Sequence, residues 1–365
     1  MAEAEIRLAS ANGESVAPAL AMAGQPTAQR AVPTSTGGFW SLFVTQFQGA
    51  FSDYILKTLV VFMMLGMNVT LAEQNRIGEW VTALYSLPFI LFSMAGGYLA
   101  DRYSKRSVMI GVKVFEIGVM VSMLAGFILN NWHILMAGVF LMGVHSAFFG
   151  PSKYGSLPEQ LPAKRLSWGN GLIELGTFVA IIFGTWMAGK LSECFHDRQI
   201  VSGVILIALA AFGLACSLGV HRVPAADPNR SFEPNFLKDL WNRTTLIRQD
   251  RALKLSVIGN IYFSFIATLL LLDLFFYGAH VLKVSDERNS LLSCALALGV
   301  GFGSAAAGFL SGNKIETGLI PFGAAGLSVA CVGLFFADSY CFALVWLALL
   351  GFAGGFFVVP ISALL

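Results

Sequence analysis

The residues of this 365-residue chain that could do chemistry are charged side chains set inside long apolar runs. Asp53 and Lys57 stand four apart, a spacing that puts both on one helical face and lets them pair. Lys113 and Glu116, three apart, meet the same condition. Glu174 and Asp273 have no local partner, and Lys153 sits at the polar end of its run. A charge at mid-bilayer costs about 2.5–3.5 kcal/mol on insertion scales, so several of them imply a cavity or mutual pairing. Asp53, Lys153 and Glu174 are the first candidates for a polar substrate path, with Lys57 and Asp273 beside them. A stabilising pair or a helix-end position explains the last two equally well. Lys113 and Glu116 read as a local ion pair facing a neighbouring helix. His145, a lone histidine on an apolar helix, reads as a hydrogen-bonded packing residue more than as a proton relay. The chemistry on offer is ion recognition. No Ser-His-Asp or Cys-His arrangement, metal-ligand spacing, cofactor motif or basic–aromatic nucleic-acid patch is present, so no catalytic residue, metal or cofactor is expected.

The elements that must hold these residues follow from composition. Apolar residues make up 56% of the chain and charged ones only 12%, at a mean hydropathy of +0.72. Soluble domains carry roughly a quarter of their residues as charges. A chain this long with half that density faces lipid over most of its surface. Ten runs are long enough to cross as helices: 39–66, 79–99, 107–129, 132–150, 168–190, 200–220, 253–277, 290–311, 317–337 and 340–364. Residues 1–38, rich in Ala, Ser, Gly, Pro and Thr without an apolar core, read as a disordered cytoplasmic tail. Lys and Arg concentrate in alternate loops (Arg102, Lys105, Arg106, Lys153, Lys164, Arg165, the cluster from Arg222 to Lys254, and Lys314), which places the N-terminus inside. The polar, proline-containing stretch 221–252 reads as a cytoplasmic linker between 39–220 and 253–365. The five cysteines fall mostly in apolar runs at no disulfide or metal spacing. Gly299-Val300-Gly301-Phe302-Gly303 lies within a span and reads as close helix packing.

The second part replays the first. Gly97-Tyr98-Leu99 and Gly308-Phe309-Leu310 end the second and eighth spans; Phe148-Phe149-Gly150-Pro151 recurs as Phe356-Phe357-Val358-Val359-Pro360. Two six-helix halves joined by a cytoplasmic loop is the plan of major facilitator transporters. The loop from Gly97 through Asp101, Arg102 and Lys105 to Arg106 resembles that superfamily's signature, G-x-L-x-D-R-x-x-[KR]-R. The expected fold is an all-α membrane protein, a major facilitator helical bundle with about ten of twelve transmembrane helices present. On that plan two helices would follow Leu365, and the chain reads as a fragment. Gly97 is expected to allow close helix approach, Asp101 to sit near a helix N-terminus, and the basic residues to pair across the halves as a cytoplasmic gate.

A narrower resemblance rests on Phe149-Gly150-Pro151-Ser152-Lys153-Tyr154-Gly155, on Trp168-Gly169-Asn170-Gly171-Leu172-Ile173-Glu174, on Gly176 to Thr185 and on Gly354 to Leu365. Together these resemble the bacterial lysophospholipid transporters, including the transporter domain fused ahead of an acyltransferase and acyl carrier protein synthetase. The resemblance implies movement of lysophosphatidylethanolamine-like lipids across the inner membrane to the cytoplasmic leaflet for re-acylation, by alternating access. It also implies a cytoplasmic acyltransferase and acyl carrier protein synthetase, fused or separate, as partner, and a monomer. Asp53 falls in the family's A-F-x-D motif, here Ala50-Phe51-Ser52-Asp53, while Lys153 and Glu174 lie within the matched motifs. A zwitterionic headgroup wants a carboxylate for its ammonium and a cation such as Lys153 for its phosphate. Where stand-alone members carry a basic residue in the seventh helix this chain has Leu271, and nearby Asp273 reverses the sign. Two other classes stay open: a proton-coupled antiporter of another solute or drug working through Asp53 or Glu174, and the membrane portion of a longer enzyme.

Overall fold

A computed structural model describes residues 36–65, 71–195, 198–231, 244, 247–284, 286–312 and 314–365. The proposed tail, up to residue 35, lies outside them, as does the middle of the 221–252 linker. Among the described residues, ten long helices occupy the ten apolar runs: α1 Gly37–Leu65, α2 Leu71–Arg102, α3 Lys105–Leu129, α4 Trp132–Gln160, α5 Leu166–Cys194, α6 Gln199–Ser217, α7 Arg251–Phe276, α8 Asp286–Leu310, α9 Leu319–Phe335 and α10 Tyr340–Leu364. Eight of them contain a stretch long and apolar enough to cross a membrane; α1, with its polar side chains, and the 17-residue α9 do not meet that mark. Large apolar side chains such as Ile90, Phe322 and Phe335 stand at least 70% exposed, the outward dress of a protein that meets hydrocarbon.

Local signals set the helix ends. Asn131 Oδ1 accepts from His133 N at 3.0 Å and starts α4, and Asp250 Oδ1 accepts from Ala252 N at 2.8 Å and starts α7. Asn130 closes α3 in the left-handed region at φ 47°, a conformation asparagine tolerates. The fourth run extends ten residues beyond its expected end. α4 continues through Pro151 and Pro158 to Gln160, because neighbouring helices absorb the local disruption a proline causes in a membrane helix. Lys153 and Tyr154 are thereby helical, not part of a loop.

In the first half α1 packs on α5 and α6, α2 on α4, and α3 on α4 and α6. In the second α8 and α9 pack on α10, and α7 lies along α10. The halves meet chiefly where α5 packs on α8. Gly171 and Gly308 make that approach: a Cβ on Gly308 would come within 2.9 Å of Ser167 O and 3.0 Å of Trp168 Cα, and one on Gly171 would strike the Ser304 carbonyl. The glycines of α8 serve the packing role read from sequence, since Gly299 and Gly303 abut the backbone of α10. Gly97 does not. A Cβ there meets nothing within 4 Å, whereas one on Gly96 would lie 2.7 Å from Ala147 O. One residue along a helix turns the side chain by about 100°, so the helix-packing glycine is the neighbour of the one in the motif.

Candidate functional site

Two polar clusters lie on shared faces of α1 and α4. Asp53 and Gln46 are seven residues apart on α1; Ser146 and Lys153 are seven apart on α4. Two helical turns separate each pair, about 10 Å along the axis. Asp53 and Ser146 belong to one cluster, Gln46 and Lys153 to the other.

The first cluster encloses the Asp53 carboxylate, 7% exposed. Its Oδ2 accepts from Tyr85 Oη at 2.8 Å and from Ser146 Oγ at 2.8 Å. Its Oδ1 is buried and has no hydrogen-bond partner among the described residues. Gly143 lets α2 close on α4, with the Tyr85 carbonyl against the position a Cβ would fill, and so sets the tyrosine beside Asp53. The expected Asp53–Lys57 pair does not form. Hydroxyls take the carboxylate, and the Lys57 ammonium sits 3.9 Å from the ring centroids of both Tyr54 and Tyr85. Both residues lie on the expected face; the aromatic neighbours decide where the ammonium goes.

The second cluster centres on Lys153, 9% exposed, whose Nζ lies 3.4 Å from Gln46 Oε1 and 4.2 Å from the Tyr154 ring centroid. Gln46 donates to Thr177 Oγ1 on α5. Tyr154 Oη donates to Glu174 Oε1 at 3.2 Å, which supplies the partner that Glu174 lacks on its own helix. Tyr154, Glu174 and Asn170 line a cavity of about 710 Å³ whose far wall is Asn260, Phe263 and Ser264 of α7 and the end of α10. A second, almost wholly apolar cavity of about 430 Å³ lies among α5, α7, α8, α9 and α10, and Phe263 borders both. The structure thus places Asp53 and Lys57 in the first cluster and Lys153 and Glu174 in the second, on α1, α4 and α5. Asp273 is not brought there: it is exposed on α7, and its side chain makes no hydrogen bond or ion pair among the described residues. The side chain of Leu271 lies outside the described set.

Behind the first cluster is a sealed network. Lys113 and Glu116, both 0% exposed, pair at 2.7 Å. Gln48 bridges them, accepting from Lys113 Nζ at 2.7 Å and donating to Glu116 Oε1 at 3.0 Å. The same amide reaches Ser52 Oγ at 2.8 Å. His145 brings Nε2 to 3.2 Å from Glu116 Oε2, an ion-pair distance without hydrogen-bond alignment, and its Nδ1 stands 3.5 Å from Ser146 Oγ. The pair anticipated from sequence is present, and it holds α1, α3 and α4 together.

The signature loop makes a third arrangement. Asp101 lies in the last turn of α2, not near a helix start, and its carboxylate pairs with Arg230. Its carbonyl also accepts from Asp227 N at 2.9 Å. Arg102 donates to Tyr98 Oη and to Arg230 O; Lys105 pairs with Glu159 of α4; Arg106 donates to Leu218 O at 2.7 Å. Among the described residues, none of these contacts crosses between the halves. These partners lie in the first half and in the segment after α6, which lies against the loop through Asp227 and Arg230.

The sequence reading missed Tyr85, Ser146, Gln46, Tyr154 and Thr177. The seven-residue spacing to Asp53 and Lys153 was a usable signal for Gln46 and Ser146. Tyr85 and Thr177 had none, because they belong to other helices.

Residues 42–365 match the family model described as Major Facilitator Superfamily. The lysophospholipid transporter LplT of Escherichia fergusonii is 29% identical over 339 residues, 90% of this chain and 80% of the relative. LplT of Serratia proteamaculans is 28% identical over 348 residues, 93% and 82% of the two chains. Among solved structures, the human organic anion transporter MFSD10 aligns with a TM-score of 0.68 at 15% identity, covering 91% of this chain and 85% of that one. The major facilitator transporter FucP in its outward conformation aligns at 0.71 and 12% identity, covering 88% and 82%.

Proposed function

The chain belongs to the Major Facilitator Superfamily of membrane transporters, and on that premise we propose that it carries lysophospholipids of the lysophosphatidylethanolamine kind between bilayer leaflets. The LplT relatives, spread over nine-tenths of the chain, support that substrate class. The observation that carries the reading is the Asp53 carboxylate, buried, held through Oδ2 and open at Oδ1, on the same helical faces as the Lys153 ammonium two turns away. An orphaned buried acceptor of this kind wants a donor. The headgroup ammonium supplies one, and its phosphate then turns to Lys153 with Glu174 and Tyr154 at the cavity wall. Lys57 takes a lesser part, and Asp273 stands apart from this site on α7. The acyl chain needs no polar host; it lies in lipid between the halves or beside Phe263, where the cavity turns apolar.

In this reading the six-helix unit 39–220 and the unit from 253 onward rock about the α5–α8 contact, joined by the 221–252 linker, and Asp101 to Arg106 hold the cytoplasmic side. The N-terminus is cytoplasmic, the membrane is the bacterial inner membrane, and the delivered lipid meets an acyltransferase there, fused or separate. The carrier works as a monomer. The test is movement of fluorescent lysophosphatidylethanolamine in proteoliposomes by the intact protein and by Asp53→Asn and Lys153→Ala. Movement by the parent and loss in both variants supports the reading; a folded protein that moves no lysophospholipid overturns it.

A further inference from the structure

Lys57 has only a lesser part in the reading above, yet its ammonium has a particular seat. It stands one turn from Asp53 on α1 and rests 3.9 Å from the ring centroids of both Tyr54 and Tyr85. Among the described residues no other lysine reaches two rings; Lys113 and Lys153 each reach one, at 5.3 and 4.2 Å. A cation–π contact is weaker than a buried ion pair, so an ammonium this close to a carboxylate with an open oxygen is expected to take that oxygen. Lys57 stays on the rings instead.

Both rings are held in place by other helices. Gly184 of α5 brings that helix against Tyr54, since a Cβ there would lie 3.0 Å from Tyr54 Cβ. Gly143 of α4 admits the Tyr85 backbone in the same way, and the Tyr85 hydroxyl is tied to Asp53 Oδ2. The Tyr85 ring also packs on Phe89, centroid to centroid at 5.8 Å. Two aromatic faces around one cation, with the buried acceptor Asp53 Oδ1 close by, are the parts of an ammonium-recognition cage.

We infer that Tyr54 and Tyr85 form the seat of the headgroup ammonium, and that Lys57 is a tethered stand-in that fills this seat in the empty carrier. The inference rests on the proposed function and names what selects the headgroup at the same site. A cage beside Asp53 with no cation in it would leave a carboxylate uncompensated in the membrane, and Lys57 supplies the missing charge. An arriving ammonium gains both rings and a bond to Asp53 Oδ1, whereas Lys57 holds the rings alone, so the ligand displaces it. Lys57 swings away on its flexible four-carbon stem, and the phosphate that enters with the ammonium becomes its counter-charge. A zwitterion therefore exchanges with Lys57 at no change in net charge. A headgroup without an ammonium finds Lys57 in place and gains neither the rings nor Oδ1.

The test measures binding of lysophosphatidylethanolamine and of lysophosphatidylglycerol, which lacks the ammonium, to the intact protein in nanodiscs. The readout is the ratio of the two affinities, which a loss of phosphate contacts common to both lipids does not move. Lys57→Met removes the stand-in, and the ratio is expected to shift toward the ethanolamine lipid by about five- to tenfold. Tyr54→Leu removes one wall and is expected to shift it the other way by about as much, while Tyr54→Phe keeps the ring and the parent ratio. If Lys57→Met changes both affinities by the same factor, Lys57 is a phosphate or packing residue and the cage alone is overturned. An unchanged ratio in Tyr54→Leu has the same consequence. A parent that binds neither lipid overturns the proposed function and the cage with it. Thermal unfolding establishes that each variant is folded, and Lys57→Met decides alone if Tyr54→Leu is not.

Discussion

Lys113 Nζ lies 2.7 Å from Glu116 Oε2, and neither side chain is reached by solvent. Two charges three apart on one helix would be an incidental surface pair in a soluble protein, worth a few tenths of a kcal/mol. Here Gln48 of α1 bridges both members and His145 of α4 faces the carboxylate, so three helices share one polar knot inside an apolar bundle.

Cutting one side of that knot strands the other. Lys113→Met leaves Glu116 buried with its charge uncompensated, and a loss of about 3–5 kcal/mol is expected. The double change Lys113→Met with Glu116→Leu removes both charges and is expected to recover most of the loss. Thermal unfolding in detergent reads both, and a single variant as stable as the parent would show that the pair does not hold the helices.

Tyr85 does two jobs that substitution can separate. Tyr85→Phe keeps the ring under Lys57 and removes one hydroxyl from Asp53, a change of about 1 kcal/mol in lipid affinity. Tyr85→Leu removes the ring as well and is expected to cost more, since the Lys57 ammonium loses its seat. Equal affinities for the two variants in a lysophospholipid binding titration would refute the division.

The α5–α8 seam has room for hydrogen and little else at Gly308. A Val at that position forces its Cβ within 2.9 Å of the Ser167 carbonyl, so the halves must separate. Overpacking of this kind typically costs about 1–3 kcal/mol. Transport is expected to fall more than stability does, because in the proposed mechanism the halves rock about that seam. Cysteine cross-linking across α5 and α8 with parallel flux assays checks the order of the two effects.

The Asp101–Arg230 pair is half open to solvent on the carboxylate side, so its worth to stability is about 1 kcal/mol or less. Arg230→Glu is expected to leave the melting temperature nearly unchanged yet slow transport, and the exchange Asp101→Arg with Arg230→Glu to restore part of the rate. A slow exchange variant would show that the loop needs Asp101 itself and not its partner.

Sequence alone determined that this chain crosses a membrane many times and which runs become helices, though not where α2 begins or α4 ends. Twenty apolar residues are a helix in hydrocarbon whatever surrounds them, because the backbone must satisfy its own hydrogen bonds. Sequence also determined which side chains were too costly to bury without purpose, and Asp53, Lys113, Glu116, Lys153 and Glu174 were legible for that reason. Spacing along one helix could not say who their partners were. Asp53 chose Tyr85 and Ser146 over Lys57, Glu174 found Tyr154, and Asp101 found Arg230 beyond α6. Each choice depends on how two helices are rotated against each other. Glycines such as Gly96, Gly143 and Gly308 set that rotation by letting backbones touch, a contact that exists only once the bundle has formed.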